Sequence, residues 1–280
     1  YSFMTRMITV DHHFPLIGGP ISGTKLYMAP WFLYFNSIWF FLSNNNPVFS
    51  GLVFAGLELL VIPLVYLIGK KIFSPAAGAI AAILYGGSML LALFDRHYWN
   101  ITLAPLYSAI TFYGLLRYLE GSKRWLIAVA LVVGFGLSAT FSVFAVFIFA
   151  LLIIVSFKKS LKDMAIFLGI IVVMHLTLVL FDLRHNFWLL SGLWEFLTIH
   201  SYDRVPLLQR VGETVMVFMQ TLGKSLVMAG PVDVSNETSI CLEPNIHQSA
   251  AVWTQAATIF FLASFVGTAI RTRANRKYYG

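Results

Sequence analysis

The sequence predicts an all-α integral membrane protein, a bundle of about seven transmembrane helices with further helices lying along its outer face. Three observations predict it. Hydrophobic residues make up 59% of the 280 residues and charged residues only 11%, against about 25% charged in soluble domains. Mean hydropathy is +0.79, which implies more apolar surface than a soluble domain of 31.4 kDa can hide. Lys and Arg recur in short clusters between apolar stretches. This composition excludes a disordered chain, a collagen and a secreted disulfide scaffold, and the single Cys241 cannot close an internal bridge. The formal charge of +7 is read as topology bias, not as a nucleic-acid footprint.

The elements follow in order within one transmembrane domain, 1–280. Residues 1–50 form an external loop with an interfacial helix. Tyr1 is not an initiator Met and no signal-peptide pattern precedes the loop, so the chain is expected to start inside a longer protein. Residues 26–42 are apolar but dense in Tyr27, Trp31, Tyr34 and Trp39, an interfacial signature. The alternative, a true span, would put residues 1–25 in the cytoplasm. Six spans fill 51–181, near 51–68, 76–93, 103–119, 125–138, 143–157 and 164–181. Residues 182–249 form an external loop with an amphipathic helix over 187–200, which carries Trp188 and Trp194. A second interfacial helix or poor span covers 205–229, and Asn236-Glu237-Thr238 has the N-glycosylation pattern. A last span covers 250–270 and a cytoplasmic tail 271–280.

Charge sets the orientation. If each stretch crosses once, twelve of the 19 basic residues, including Lys70, Lys123, Lys159 and Arg273, share one side at a net +10, while the other side carries −2. The basic side is cytoplasmic. Residues 125–157 must then be a hairpin, since a single span would put Lys158–Lys162 outside. Its arms are short, about 22 Å each against a hydrocarbon core of about 30 Å. The tip Ser138–Ser142 is therefore expected below the outer surface, buried in protein or lining a wet cavity.

Chemistry-bearing residues gather at the outer ends. The sequence contains no Walker loop, GxGxxG, HExxH or CxxC. Asp95-Arg96-His97-Tyr98-Trp99-Asn100 ends the second span, Asp182-Leu183-Arg184-His185-Asn186 ends the sixth, and Asp11-His12-His13 with Lys25 precedes the aromatic helix. Arg binds phosphate bidentately, and a carboxylate or His takes a proton, so such a convergence suits a phosphate-bearing substrate. Against it, each group is equally a solvated loop or a snorkelling helix end. Adjacent His12 and His13 make a poor metal pair. Glu58 and His175 are ionisable groups within spans, and Pro63 and Pro105 are expected to kink helices around a cavity.

An ordered set of motifs over residues 1–200 resembles the dolichyl-phosphate-mannose–protein mannosyltransferase-like glycosyltransferases, family 39 of the GT-C class. Phe14–Ser22 is similar to a PLIGPPTS-like stretch, and Tyr27–Tyr34 to a GPLYYY-like helix start. Gly69–Gly78 resembles the family's cytoplasmic turn, Arg96–Pro105 its R-x-x-W-N-P-N-x-x-P stretch, and Phe181–His185 its F-[DE]-L-R-H motif. Departures are Ile101 and Thr102 within the R-x-x-W-N-P-N-x-x-P stretch, Thr140 where relatives often have His, and Met28-Ala29 before Pro30.

The resemblance implies a GT-C-like bundle that transfers a mannose-like hexose from a polyprenyl-phosphate donor to a protein, lipid or glycan acceptor on the external face. The bilayer and the lipid donor would be its partners, with no nucleic acid, no cofactor and no metal. Lys25, Arg96, Asn100, Asp182, Arg184 and His185 would bind the donor phosphate or substrate. The family's catalytic Asp is expected upstream of Tyr1, which would leave the isolated chain inactive, with Asp11 as the substitute. The alternative is a transporter or flippase of a lipid-linked or anionic substrate, or a non-enzymatic subunit. No pair of broken helices in corresponding halves supports transport.

Overall fold

The computed structural model describes residues 2–21, 24–88, 91–92, 99–158, 160–198 and 212. The chain divides into two units, residues 1–86 with 94–201 and residues 87–93 with 202–280. Nearly all described residues belong to the first. The expected elements at 205–229 and 250–270, the Asn236 site, and the cluster from Asp95 through Arg96 to Tyr98 lie outside the described residues.

The first unit is all-α. Its elements are α1 (Ser2–Thr9), α2 (Trp31–Leu42), α3 (Pro47–Glu58), α4 (Val61–Ile72), α5 (Pro75–Gly86), α6 (Ala104–Leu119), α7 (Arg124–Ala139), a 3₁₀ turn (Phe141–Val143), α8 (Phe144–Ile153), a π turn (Ile154–Lys158), α9 (Leu161–Met174), α10 (Leu176–Arg184) and α11 (Trp188–Thr198). Among the described residues the β pairing is one isolated bridge, Pro20 with Tyr27.

Pro105 starts a helix instead of kinking one, which corrects its expected role, whereas Pro63 follows a tightened turn within a longer helical segment. Pro105 lies in the first turn of α6, where a missing N–H costs nothing. Pro63 stands third in α4, and its ring cannot accommodate the Leu59 carbonyl four residues back. The chain therefore tightens there, with Leu60 N donating to Leu57 O at 3.0 Å and Ile62 N to Leu59 O at 3.3 Å. Asn46 caps α3, accepting from Val48 N at 3.0 Å. Together α3 and α4 make a 26-residue apolar segment, Pro47–Ile72, about 39 Å long. Among the described residues it is the one helix long and apolar enough to cross a membrane. The pair α9–α10 passes as a second if its halves count as one span. α2, α5, α7 and 141–157 are shorter apolar helices.

Two expected spans are interrupted. The helix expected over 76–93 stops at Gly86, because Gly86-Gly87 lose the most backbone entropy in a helix. The segment expected over 164–181 is bent by 46° between Met174 and Leu176. At the bend, Leu178 N donates to His175 O at 3.0 Å, while the indole N–H of Trp31 donates to the Met174 carbonyl. A side chain inserted into the ladder is a physical cause of a kink.

The hairpin expected at 125–157 is present as α7, the turn at Thr140 and α8. Tyr107 of α6 packs on Phe135 of α7 with centroids 5.9 Å apart, and Phe112 packs on Phe149 of α8 at 4.7 Å. α8 therefore descends alongside α6 and antiparallel to α7. One core cluster joins α6, α7, α8 and α9 through Tyr118, Val129, Val133, Ala150 and Phe167. A second joins α2, α3, α6 and the hairpin tip through Phe32, Phe54, Leu103 and Ala139. Large apolar side chains also point outward, among them Leu52, Ile83, Leu131, Leu152, Val173 and Leu183. So much exposed apolar surface suits lipid, not water.

The turns that carry the basic clusters meet at one end of the bundle. Lys71 Nζ lies 2.6 Å from Glu120 Oε1, and an Arg117 guanidinium nitrogen 3.2 Å from Glu120 Oε2. Tyr118 OH donates to Asp163 Oδ2 at 2.7 Å, which brings the start of α9 to the same end. The hydrogen bond from Lys71 holds the Glu120 carboxyl below its ordinary value of 4.5, with Arg117 adding to the effect.

Two predictions follow from this packing. A Cβ at Gly78 would lie 2.5 Å from Tyr66 O and 2.7 Å from Lys70 N, backbone atoms that cannot step aside. Gly78→Ala should therefore destabilise the α4–α5 hairpin by roughly 1–3 kcal/mol, read as a lower melting temperature in detergent, whereas Gly56→Ala, with open space around it, should not. Glu120 has a depressed pKa, so its stabilisation is complete above about pH 4.5 and is lost as pH falls through the lower folded value. The stability difference between the wild type and Glu120→Gln should shrink as pH falls through that range; a difference that does not shrink on acidification would contradict the clasp.

Candidate functional site

The opposite end of the bundle, where the hairpin tip lies, holds the sequence-derived candidates that the structure describes. It is built on a loop, residues 16–30, folded back on itself. Gly18 N donates to Met28 O at 2.7 Å, Met28 N to Gly19 O at 3.0 Å and Ile21 N to Leu26 O at 2.8 Å. Gly18 is required here, because a Cβ would lie 2.6 Å from Ala29 O. Thr24 braces the turn, donating to Ile21 O at 2.8 Å and accepting from Leu26 N at 3.1 Å. Lys25 stands at the head of this turn. The helix that follows starts at Trp31, just after the turn residue Pro30.

α2 is tied to three neighbours: the end of α9, the hairpin tip and the N-terminal loop. Trp31 takes the Met174 carbonyl, Phe32 N donates to Ser138 Oγ at 3.2 Å, and Tyr34 OH donates to Pro15 O at 2.5 Å. Burial raises the Tyr34 phenol above its ordinary value. α1 packs on α2, with Asn36 Nδ2 donating to Thr5 Oγ1 at 3.1 Å. Asp11, His12 and His13 follow α1 and are exposed.

The hairpin tip is buried at Ser138–Thr140 and exposed at Phe141 and Ser142. Ser138 and Thr140 are buried, and Thr140 Oγ1 accepts from Ser142 N at 3.3 Å. Asn100 is also buried, its amide donating to Ala139 O at 2.6 Å, so its first task is to satisfy the end of α7. Ser142 lines a groove of about 330 Å³ with Ser108, Ile101, Pro105 and neighbouring apolar residues.

Asp182 and its neighbours set up α11. The turn 185–187 places Asn186 and Phe187 at φ 52° and 58°, a left-handed conformation that costs a bulky residue roughly 1–2 kcal/mol. That reversal lets the Asp182 carboxylate reach the start of α11, accepting from Leu189 N at 2.6 Å and Leu190 N at 3.3 Å. A carboxylate there also suits the helix dipole. His185 Nδ1 lies 2.8 Å from Phe181 O, and its ring stacks on Phe181 at 4.0 Å. Arg184, in the last turn of α10, is exposed.

Lys25 meets α11 two turns further on. Its Nζ lies 2.5 Å from Glu195 Oε2, and Tyr27 packs on Trp188 with centroids 5.7 Å apart. Lys25 and Asp182 thus share one helix, about 9 Å apart along its axis, with Arg184 and His185 on the turn leading into it. Asn100 joins this end through the tip, while Arg96 lies outside the described residues. Glu195 is the site residue that sequence reasoning missed, while Trp31 and Ser138 were marked without their partners. The paired Trp residues of 187–200 marked the helix, but nothing local marked its partners. α11 also borders an apolar groove of about 480 Å³ lined by Asn186, Phe187, Leu190, Ser191, Leu193 and Trp194. Among the described residues no three His, Cys, Asp or Glu side chains gather at one point.

A family model described as dolichyl-phosphate-mannose-protein mannosyltransferase matches residues 27–181, more than half of the chain. Comparison with curated proteins and with solved structures gave no match.

The Asp182 contact carries its own prediction. Asp182→Ala removes the cap of α11 and should cost about 0.5–2 kcal/mol of local stability. Hydrogen exchange at the Leu189 and Leu190 amides should accelerate while the α6–α9 core stays protected. Unchanged exchange at those two amides would show that the cap is not what holds the helix.

Proposed function

We propose, from the premise that the chain belongs to the dolichyl-phosphate-mannose-protein mannosyltransferase family of integral membrane glycosyltransferases, that it moves a mannose-like hexose from a polyprenyl-phosphate donor to an acceptor on the external face. One observation carries this reading. The matched segment opens on the Lys25 loop at Tyr27 and closes at Phe181 beside Asp182, and those two ends meet on α11 at the hairpin-tip end of the bundle. The matched scaffold is thus flanked by a cation-bearing loop and a cation-bearing turn that meet one helix, Lys25 and Arg184 lying just outside the matched residues.

The chemistry is a direct displacement at the anomeric carbon. The bond between that carbon and the phosphate oxygen breaks as a bond to the acceptor oxygen forms. The acceptor proton passes to a carboxylate, and polyprenyl phosphate leaves with the negative charge. Asp11, exposed just past α1, is the described carboxylate candidate. Lys25 and Arg184, with Arg96, stabilise the phosphate charge. Asn100, Asp182 and His185 hold the elements on which those cations stand. The apolar groove beside α11 suits the first isoprene units of the donor, and the acceptor is a protein, lipid or glycan hydroxyl.

Membranes containing the protein, given polyprenyl-phosphate [14C]mannose and a hydroxyl acceptor, should transfer label from lipid to acceptor. Lys25→Gln should lower kcat/KM by roughly tenfold or more, the loss expected for a hydrogen bond to a charged group. Arg184→Lys keeps the charge but loses the guanidinium fork, so it should weaken donor use while helicity stays unchanged. Movement of the lipid across the membrane without transfer would favour the flippase alternative.

A further inference from the structure

Lys25 and Glu195 are 170 positions apart, and the fold seats one directly on the other. Their charged atoms lie 2.5 Å apart. The backbone fixes this meeting. A Cβ at Gly192 would lie 2.8 Å from Lys25 Cβ, so the Lys25 turn rests on α11 one helical turn before Glu195. Tyr27 against Trp188 and the Thr24 brace hold the loop, and Asp182 holds the helix.

The charged ends are nonetheless wet. The side chains keep 54% and 36% of their exposure, and an exposed ion pair shifts an equilibrium by about two- to fivefold at most. A phosphate offers an ammonium several charged oxygens at once, and charge-assisted bonds of that kind are the stronger ones. A rigid seat under a weak, water-accessible pair is an arrangement built to exchange one anion for another.

We infer that Glu195 is the displaceable counter-ion of Lys25 and sets the selectivity of this end of the bundle for a lipid phosphate. In the resting protein the carboxylate neutralises the ammonium and holds it over α11. An arriving phosphate replaces the carboxylate on Nζ, and Glu195 turns to water. A neutral headgroup cannot displace a carboxylate, so only an anionic lipid engages Lys25. Glu195 touches no reacting atom and is a specificity-determining residue. The inference rests on the reading of Lys25 as a phosphate-binding residue.

The test is binding, which needs no turnover. The chain is reconstituted in phosphatidylcholine nanodiscs and titrated calorimetrically with farnesyl phosphate, and with farnesol as the neutral probe. Glu195→Gln should tighten farnesyl phosphate binding about two- to fivefold. Lys25→Gln should weaken it roughly tenfold or more, and the double variant should match Lys25→Gln, because Glu195 acts only through the lysine. Glu195→Asp, which keeps the charge, should stay near wild type. Farnesol binding should not change in any variant, and unchanged helicity shows that each folds. If Lys25→Gln weakens binding but Glu195→Gln leaves it unchanged or also weakens it, the counter-ion inference fails while the site reading stands. Wild-type affinity in Lys25→Gln would overturn the site reading and the counter-ion inference with it.

Discussion

The hydrogen bond from the Trp31 indole to the Met174 carbonyl is the contact on which the hairpin-tip end depends. The bend between α9 and α10 takes that carbonyl out of its helical ladder. In an apolar surround an unsatisfied carbonyl costs several kcal/mol, so the bend persists only with a donor in place. Trp31 is that donor, and its position fixes others. It places the start of α2 at the level of the bend, and with it the Lys25 loop. Beyond the bend, α10 carries Asp182 to the start of α11, and α11 carries Glu195 back to Lys25. The contacts close a circuit in which each element is held by the next.

The same economy governs the hairpin tip. α7 has 16 residues, about 24 Å, so its end falls short of a full crossing. The polar groups there are nevertheless satisfied within the protein. Ser138 receives the Phe32 amide, and Asn100 gives its amide to Ala139 O. Small residues allow this closeness. A Cβ on Gly134 would lie 2.6 Å from Met174 Sδ, so α7 and α9 meet there with the Met174 side chain packed over the glycine, as small residues at membrane helix contacts commonly allow.

The two ends of the bundle are built differently. At one, Lys71, Arg117 and Glu120 form a clasp and Tyr118 locks Asp163, so charge is used to join helices. At the other, packing and hydrogen bonds made by the side chains of Trp31, Ser138, Asn100 and Asp182 do most of the joining, and the Lys25–Glu195 pair stays partly exposed.

Much of the scaffold was legible along the chain. The all-α class came from apolar runs. The short hairpin came from the constraint that Lys123 and Lys158–Lys162 lie on one side, and the helix Trp188–Thr198 was marked by Trp188 and Trp194. These are local signals, carried by composition and by residues a few positions apart. Lys25, Asn100, Asp182, Arg184 and His185 were readable as a group because each stands near the end of an apolar stretch. Their roles were not. Asp182 caps α11 only because Asn186 and Phe187 take left-handed backbone and turn the next helix onto it. The bend at His175 depends on a tryptophan 143 positions away, and the state of Lys25 on a glutamate 170 positions away. Nothing in either neighbourhood encodes those partners. Burial and helix follow from local pattern, but which charge meets which was decided only when the bend and the caps had brought distant elements together.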